Sequence, residues 1–445
     1  MTENQSRISE ETTPPPLQLR AKEYSQAHAT FLAGRFRWVI CAVLFIGITK
    51  NYMDRQVLGV LKVTLQNDLG WNELDYSNLV FAFQAAYGVG MLLMGGLIDR
   101  IGTRLGYGLA MVFWSLASMA HAVCGSLLSF GIARAALGLG ESGAFPASIK
   151  TVTEWFPQKE RALATGIFNS GTNIGAIATP IFVPWITVHF GWRWAFVITG
   201  AVGFLWFLLW MLVYRKPEEH PQCSPGELAY IRGDGRPETT RVPWSRLLGY
   251  RQTWAFLVAK FLTDPIWWFY LFWVPGFFQK EHGLNLVQIG LPVVVIYLIS
   301  DAGSIAGGWL SSQFIRRGYS ANVGRKTAML VCAVCVVPIV YAYRAEGIWV
   351  TTLLIGLAAA AHQGFSANLY TTVSDMFPSP AVGSVTGIGG AAGAVGGMLI
   401  AKIVGHVLQA TGSYFVPFLM AGTAYLIALG VMHMIVPRLQ RVDAV

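Results

Sequence analysis

Charge is what this sequence has least of. Asp, Glu, Lys and Arg together make up 12% of its 445 residues, where a soluble domain carries about a quarter. That shortage excludes an ordinary globular enzyme, and with 54% hydrophobic residues it points to a polytopic membrane protein. Cysteine is sparse as well. Of Cys41, Cys124, Cys223, Cys332 and Cys335, the last two have redox spacing, but they lie in the apolar run AMLVCAVCVVPIV with no βαβ context. A thiol-redox or metal role is therefore not expected. Residues 1–37 lack the apolar core of a signal peptide and, with TPPP and scattered charges, read as a disordered cytoplasmic tail. The net charge of +9 would suit a nucleic-acid partner only if the bases formed a patch. They do not.

What is present in abundance is apolar windows of about 20 residues, the length that spans a bilayer. Six fall near 38–61, 76–97, 105–123, 128–153, 162–188 and 194–214. Six more fall near 253–278, 287–312, 327–343, 348–374, 383–409 and 413–437. The organisation read from these is a tail over 1–37, a six-helix half over 38–214 and a central loop over 215–252. A second six-helix half follows over 253–437, then a tail over 438–445.

The positions of Lys and Arg set the orientation. With a cytoplasmic N-terminus, the outside carries only Lys62, Arg193, Lys280 and Arg344, and almost all other bases fall on inner loops and tails. Both termini are therefore expected in the cytoplasm, and the basic excess is a topology signal. Six bases stay within the spans: Lys50, Arg55, Arg134, Lys150, Lys260 and Lys402. Each costs about 2.5–3.5 kcal/mol near a helix centre, so they need protein partners or a watered cavity.

The halves repeat. EWFPQKERALATGI (154–167) is echoed by DMFPSPAVGSVTGI (375–388), and GGLIDRIGTR from Gly95 is echoed weakly by GGWLSSQFIRRG from Gly307. Matched elements in two halves suggest a duplicated transporter with its site between them near midplane. GGLIDRIGTR and RAALGLGESG resemble the helix 2–3 loop and the fourth-helix pattern of the major facilitator superfamily. NYMDRQVL, GLGESGAFPA and EWFPQKERALATGIFNSG resemble its anion:cation symporter branch. KFLTDPIWWFYLFWVP and AHQGFSANLYTTVSDMFP resemble the hexuronate (galacturonate/glucuronate) transporters within that branch, and the likeness runs from Arg37 to Pro437.

The resemblance implies an all-α polytopic fold of twelve transmembrane helices in two six-helix halves. It implies a monomer in the inner membrane, among lipid, that imports a small organic anion with H+ and uses no cofactor beyond the proton gradient. A cytoplasmic gating role for Asp99, Arg100 and Arg104 follows from it too. Ser311 and Ser312 stand near the acid's place in the second copy. The helix-5 glycine-proline signature of the superfamily's proton antiporters is absent from SGTNIGAIATP, which weighs against a drug exporter.

Individual residues carry chemistry of their own. Glu141, midway along helix 4, is costly as an anion in the membrane and can switch protonation as a cavity alternates. Arg134 shares its helical face two turns away, so a static Arg134–Glu141 pair is the structural alternative to proton coupling. Asp54 and Arg55 point about 100° apart. Asp54 lies one turn from Lys50 and can pair with it, either structurally or as a second proton-linked carboxyl. Arg55 suits a substrate carboxylate, because its planar fork binds bidentately and stays charged.

A hydroxylated sugar acid also needs hydroxyl partners and an apolar face. The candidates are Tyr52, Tyr87, Arg134, Asn169, Thr172 and Asn173 in the first half. Trp267, Tyr270, His362, Gln363 and Asn368 are those of the second, Trp267 and Tyr270 lying beside a possible kink at Asp264–Pro265. Lys260 and Asp264 are one turn apart and can form a plain ion pair; Asp301 and Lys402 have no role that the sequence assigns, a pair across helices 8 and 11 being one arrangement open to them. Gly171-x-x-x-Gly175 and Gly303-x-x-x-Gly307 allow close helix packing.

The leading expectation is a proton-coupled importer of hexuronates, and its rival is a symporter of another organic anion such as galactonate or glucarate. A non-transporting sensor on the same fold is disfavoured by the short tails. An enzyme is disfavoured because no nucleophile–base pair appears. A carrier of neutral sugars would have no use for Arg55.

Overall fold

A computed structural model describes residues 35–233 and 244–442, which leaves most of the tail over 1–37 outside the described residues. Those described form helices and no strand. In chain order they are α1 (Phe36–Val60), α2 (Lys62–Leu69), α3 (Glu73–Ile101), α4 (Thr103–Ala120), α5 (Leu127–Glu141) and α6 (Ala144–Trp155). After these come α7 (Gln158–Phe190), α8 (Trp192–Val213) and the short α9 (Pro225–Arg232). The second half has α10 (Arg251–Glu281), α11 (Gly290–Arg316), α12 (Ala321–Val336), α13 (Ile348–Met376), α14 (Ser379–Thr411) and α15 (Phe415–Ile435).

Among the described residues, 11 helical stretches are long and apolar enough to cross a membrane. The window at 128–153 differs from expectation. It is two helices, α5 and α6, broken where the Ser142 hydroxyl donates to Leu139 O at 2.6 Å. Ser142 and Gly143 keep right-handed helical dihedrals, so the break is local. Neither α5, with 15 residues, nor α6, with 12, is among the 11 stretches. The window at 327–343 also changes character: α12 tightens to a 3-10 helix over Val337–Arg344, where Pro338 lacks the N–H that a continuing helix needs.

Turns between helices are short because glycine permits them. Gly102 (φ 84) and Gly191 (φ 89) each separate two helices alone, α3 from α4 and α7 from α8. With extended ψ, these positions suit essentially glycine only. Helix packing depends on small residues as expected. A Cβ on Gly171 would lie 2.6 Å from Phe45 O of α1, and one on Gly307 would collide with Gly364 Cα of α13. Pro265 and Pro275 lie inside an unbroken α10. Pro265 removes the N–H that Phe261 O would accept, and Gly396 of α14 packs there, with room for no Cβ within 2.6 Å of that oxygen.

The halves touch mainly through α3 with α14, then α7 with α11 and α1 with α10. Hydrogen bonds between the halves, among the described residues, lie at mid-bundle or toward the end away from the termini. Tyr76 Oη donates to Phe272 O at 2.7 Å, Gln56 to Tyr297 Oη at 3.1 Å, and Lys62 reaches Tyr414 Oη at 3.5 Å. At the end carrying the termini, the strong contacts stay inside one half. Arg37 binds Glu160 at 2.8 Å and Glu227 of α9 at 3.2 Å, while Arg325 binds Asp375 at 3.2 Å. Gly95, Gly166 and Gly383, near that end, face open space. Among the described residues, the hydrogen bonds that join the halves therefore gather at mid-bundle and at the far end.

Candidate functional site

Between the halves lies a polar cavity of about 220 Å³. The first half contributes Tyr52 from α1 and Asn169 and Thr172 from α7. From α10 come Lys260, Asp264, Trp267 and Trp268, spaced i, i+4, i+7, i+8, which is one helical face. From α13 come His362, Gln363, Ser366 and Tyr370. Two other grooves, about 290 and 740 Å³, are walled almost wholly by apolar side chains such as Leu399 and Ile403 or Phe182 and Leu291. They offer little to orient a polar ligand.

The wall from the second half is built around one ion pair. Lys260 Nζ lies 2.7 Å from Asp264 and donates to Tyr370 Oη at 2.9 Å, 4.3 Å above that ring's centroid. Asp264 fits because Gly393 of α14 leaves the space that any Cβ would take. Trp267 stacks on His362 with ring centroids 5.1 Å apart at 15°, and His362 Nδ1 is 2.6 Å from Tyr425 Oη.

Behind the other wall lies a cluster of five buried charges, Lys50, Asp54, Arg55, Arg134 and Glu141, with Lys62 buried apart from it and paired with Glu73 at 2.8 Å. Lys50 pairs with Asp54, as the one-turn spacing predicts, and donates to Ser115 Oγ at 2.9 Å. Arg55 Nε donates to Glu141 at 2.9 Å and its Nη2 to Asn51 Oδ1 at 3.1 Å. Four rings surround that guanidinium: Tyr52 and Tyr87 at 4.7 Å, Phe83 and Trp268 at 5.3 Å. Tyr52 and Trp268 also face the cavity, so Arg55 sits one ring's thickness behind it. Arg134 lies 4.5 Å from the Phe83 centroid, and none of its nitrogens has a hydrogen-bond partner among the described residues. With all five ionised the cluster holds one more positive charge than negative.

Several expectations change here. Glu141 pairs with Arg55 and not with Arg134: seven residues along a helix is about 10 Å, too far for a direct pair. Asp301 and Lys402 do not meet. Asp301 accepts from Asn173 across α7 and α11, and Lys402 donates to Asn78 across α14 and α3.

Of the substrate-binding candidates, Tyr52, Asn169, Thr172, Trp267, His362 and Gln363 face the cavity. The rest sit elsewhere. Tyr87 cages Arg55, Asn173 turns to Asp301, and Tyr270 is buried beside Tyr297 and Ala359. Asn368 points away from the α13 cavity face and donates to Gly307 O and Gly364 O, both at 2.9 Å, tying α11 to α13. Trp268 and Ser366, from the same polar and aromatic runs, line the cavity too, and Lys260, Asp264 and Tyr370 are cavity residues that the sequence reading did not place at the site. Their helical spacing with Trp267 and His362 was the available signal. Among the gating candidates, Arg104 donates to Met211 O at 2.6 Å and Arg100 is exposed. The side chain of Asp99 lies outside the described residues.

A family model described as Major Facilitator Superfamily matches residues 44–399. The chain is 31% identical over 382 residues to a hexuronate transporter of Escherichia coli (strain K12), covering 84% of this chain and 88% of that one. It is 30% identical over 393 residues to a D-galactonate transporter of Escherichia coli O6:H1 (strain CFT073), covering 85% and 91%. Among solved structures it is similar to a bacterial homologue of the human lysosomal transporter Spinster in an inward-facing, occupied conformation. That match has a TM-score of 0.74 at 16% identity, covering 92% of this chain and 99% of the other.

Proposed function

The chain belongs to the Major Facilitator Superfamily, and on that premise we propose that it is a proton-coupled symporter importing hexuronates, galacturonate or glucuronate, by alternating access. It is a multi-pass membrane transporter and not an enzyme. The observation that carries the finer reading is the buried Arg55–Glu141 pair, set one ring behind a polar cavity within a cluster of net positive charge. An excess buried cation is expensive until an anion offsets it, which selects for an anionic substrate.

The steps follow from the groups present. A proton on Glu141 removes the charge that holds Arg55 Nε, and the freed guanidinium can take a substrate carboxylate bidentately. Asp54, paired with Lys50, is the second proton-linked carboxyl. Asn169, Thr172, Gln363 and Ser366 supply hydrogen bonds for sugar hydroxyls, and Trp267 and Trp268 supply faces for its C–H surface. The distribution of Lys and Arg favours cytoplasmic termini, so the end of the bundle carrying them is the side of release for an importer. The driving force is the proton gradient, with no cofactor, and the chain acts as a monomer in the inner membrane.

A second substrate is supported by the relative named as a D-galactonate transporter, so galactonate, glucarate or a related sugar acid is the alternative. The test is uptake of radiolabelled galacturonate into proteoliposomes, with and without an inward proton gradient, for wild type and Glu141→Gln. Gradient-driven accumulation that Glu141→Gln abolishes while exchange survives supports the reading. Transport of galactonate or glucarate alone keeps the mechanism and replaces the substrate. If no acid moves and the gradient has no effect, the coupling argument is wrong.

A further inference from the structure

In this conformation Arg55 is not on the cavity wall: Glu141, Asn51 and four rings enclose it. The Lys or Arg that does line the cavity is Lys260. Both of its partners, Asp264 and Tyr370, line the same cavity. The contrast with Lys50 is direct, since the Asp54 side chain is 0% exposed and the Asp264 side chain is 19% exposed. Asp264 presents to Lys260 the same chemical group that a sugar acid would present. Gly393 and Pro265 fix its position, because α14 closes against it with no side chain of its own there.

We propose that Lys260 contacts the substrate carboxylate and that Asp264 is its built-in competitor. On binding, the carboxylate takes the place of Asp264 on Lys260. On departure, Asp264 recaptures the ammonium and makes rebinding weak. No bond is made or broken and no proton moves. The inference rests on the organic-anion reading above and adds to it a second cation, supplied by the other half.

The experiment is equilibrium binding of radiolabelled galacturonate to the purified full-length protein, with galactonate and glucarate as parallel probes. Wild type comes first: if it binds none of the three, the organic-anion reading itself fails before Lys260 is tested. Where wild type binds, Asp264→Asn is expected to tighten binding about tenfold and to slow net uptake, since release lacks its competitor. Lys260→Gln is expected to weaken binding by about tenfold or more, the scale of a lost charge-assisted hydrogen bond. The double variant Lys260→Gln/Asp264→Asn carries no orphan charge, so it keeps the test usable if Lys260→Gln folds poorly. Weak binding by it supports the proposal, because the gain from Asp264→Asn must act through Lys260. Wild-type affinity in either Lys260 variant overturns the proposal, as does an Asp264→Asn protein that fails to bind more tightly.

Discussion

The two halves echo each other in sequence, yet they treat charge in opposite ways. The first half hides a cluster of five charged side chains among aromatic rings, where removing Lys50 or Arg55 leaves the carboxylate of Asp54 or Glu141 without its ion-pair partner. The second half places a single ion pair, Lys260–Asp264, on the cavity surface. The difference separates two tasks. A sealed cluster can hold a coupling proton and shift internal partners, while an open pair can trade with a ligand.

The largest expected break in that comparison is Lys50→Met. It leaves Asp54 buried without its cation, at a cost of about 3–5 kcal/mol, and thermal unfolding of the detergent-solubilised protein should fall sharply. The matched change Lys260→Met leaves Asp264 partly exposed and is expected to cost about 1–3 kcal/mol. Equal losses would mean the halves do not differ in this respect.

Arg55→Gln comes next. It removes the cation nearest the cavity in the first half, and initial uptake rates are expected to fall roughly thirtyfold or more. Unchanged uptake would assign substrate charge recognition to the second half alone.

Trp268→Leu sharpens the comparison more gently, because this ring is the wall the two halves share. Losing its face on Arg55 is worth about 1 kcal/mol, so substrate affinity should drop about fivefold, as measured by competition binding.

The smallest effect concerns the linker. His220 stacks on Phe36 with centroids 4.2 Å apart and its Nε2 is 3.0 Å from Val213 O. Burial lowers its pKa from the ordinary value, against the backbone hydrogen bond, which raises it. A base whose folded pKa is depressed contributes stability that is present above its unfolded pKa, roughly 6.5, and is lost as pH falls. Protection of the α9 amides, measured as exchange relative to the intrinsic rate at each pH, should therefore fall modestly between pH 7 and 5, and His220→Phe should flatten that response. On the second half the linker docks a four-residue helix, Trp244–Leu247, against α14, and it carries no histidine.

Much of the architecture was legible because it is local. Apolar windows, one-turn pairs such as Lys50–Asp54 and Lys260–Asp264, and the Gly-x-x-x-Gly seams are all set by helical spacing, and the structure contains them. What escaped was the set of relations between helices. Arg55 meets Glu141 because α1 and α5 are level at that depth, which no spacing along the chain encodes. Asp301 and Lys402 each found an amide on the opposite half for the same reason. Lys260 was visible as a charge within a span, but a plain ion pair and a cavity wall have the same sequence signature. The break at Ser142–Gly143 depends on one hydroxyl turning back to Leu139 O, a choice that a run of small residues leaves open.

The lone glycines Gly102 and Gly191 have a mechanical consequence. Each joins two long helices through a single residue, so little slack exists for one helix to slide along its neighbour. Helix α3, with 29 residues, is about 43 Å long. Joined so tightly, it behaves as a lever. A tilt of about ten degrees pivoting near its middle sweeps each tip through roughly 4 Å, in opposite directions, so one small rotation widens the bundle at one mouth while narrowing it at the other.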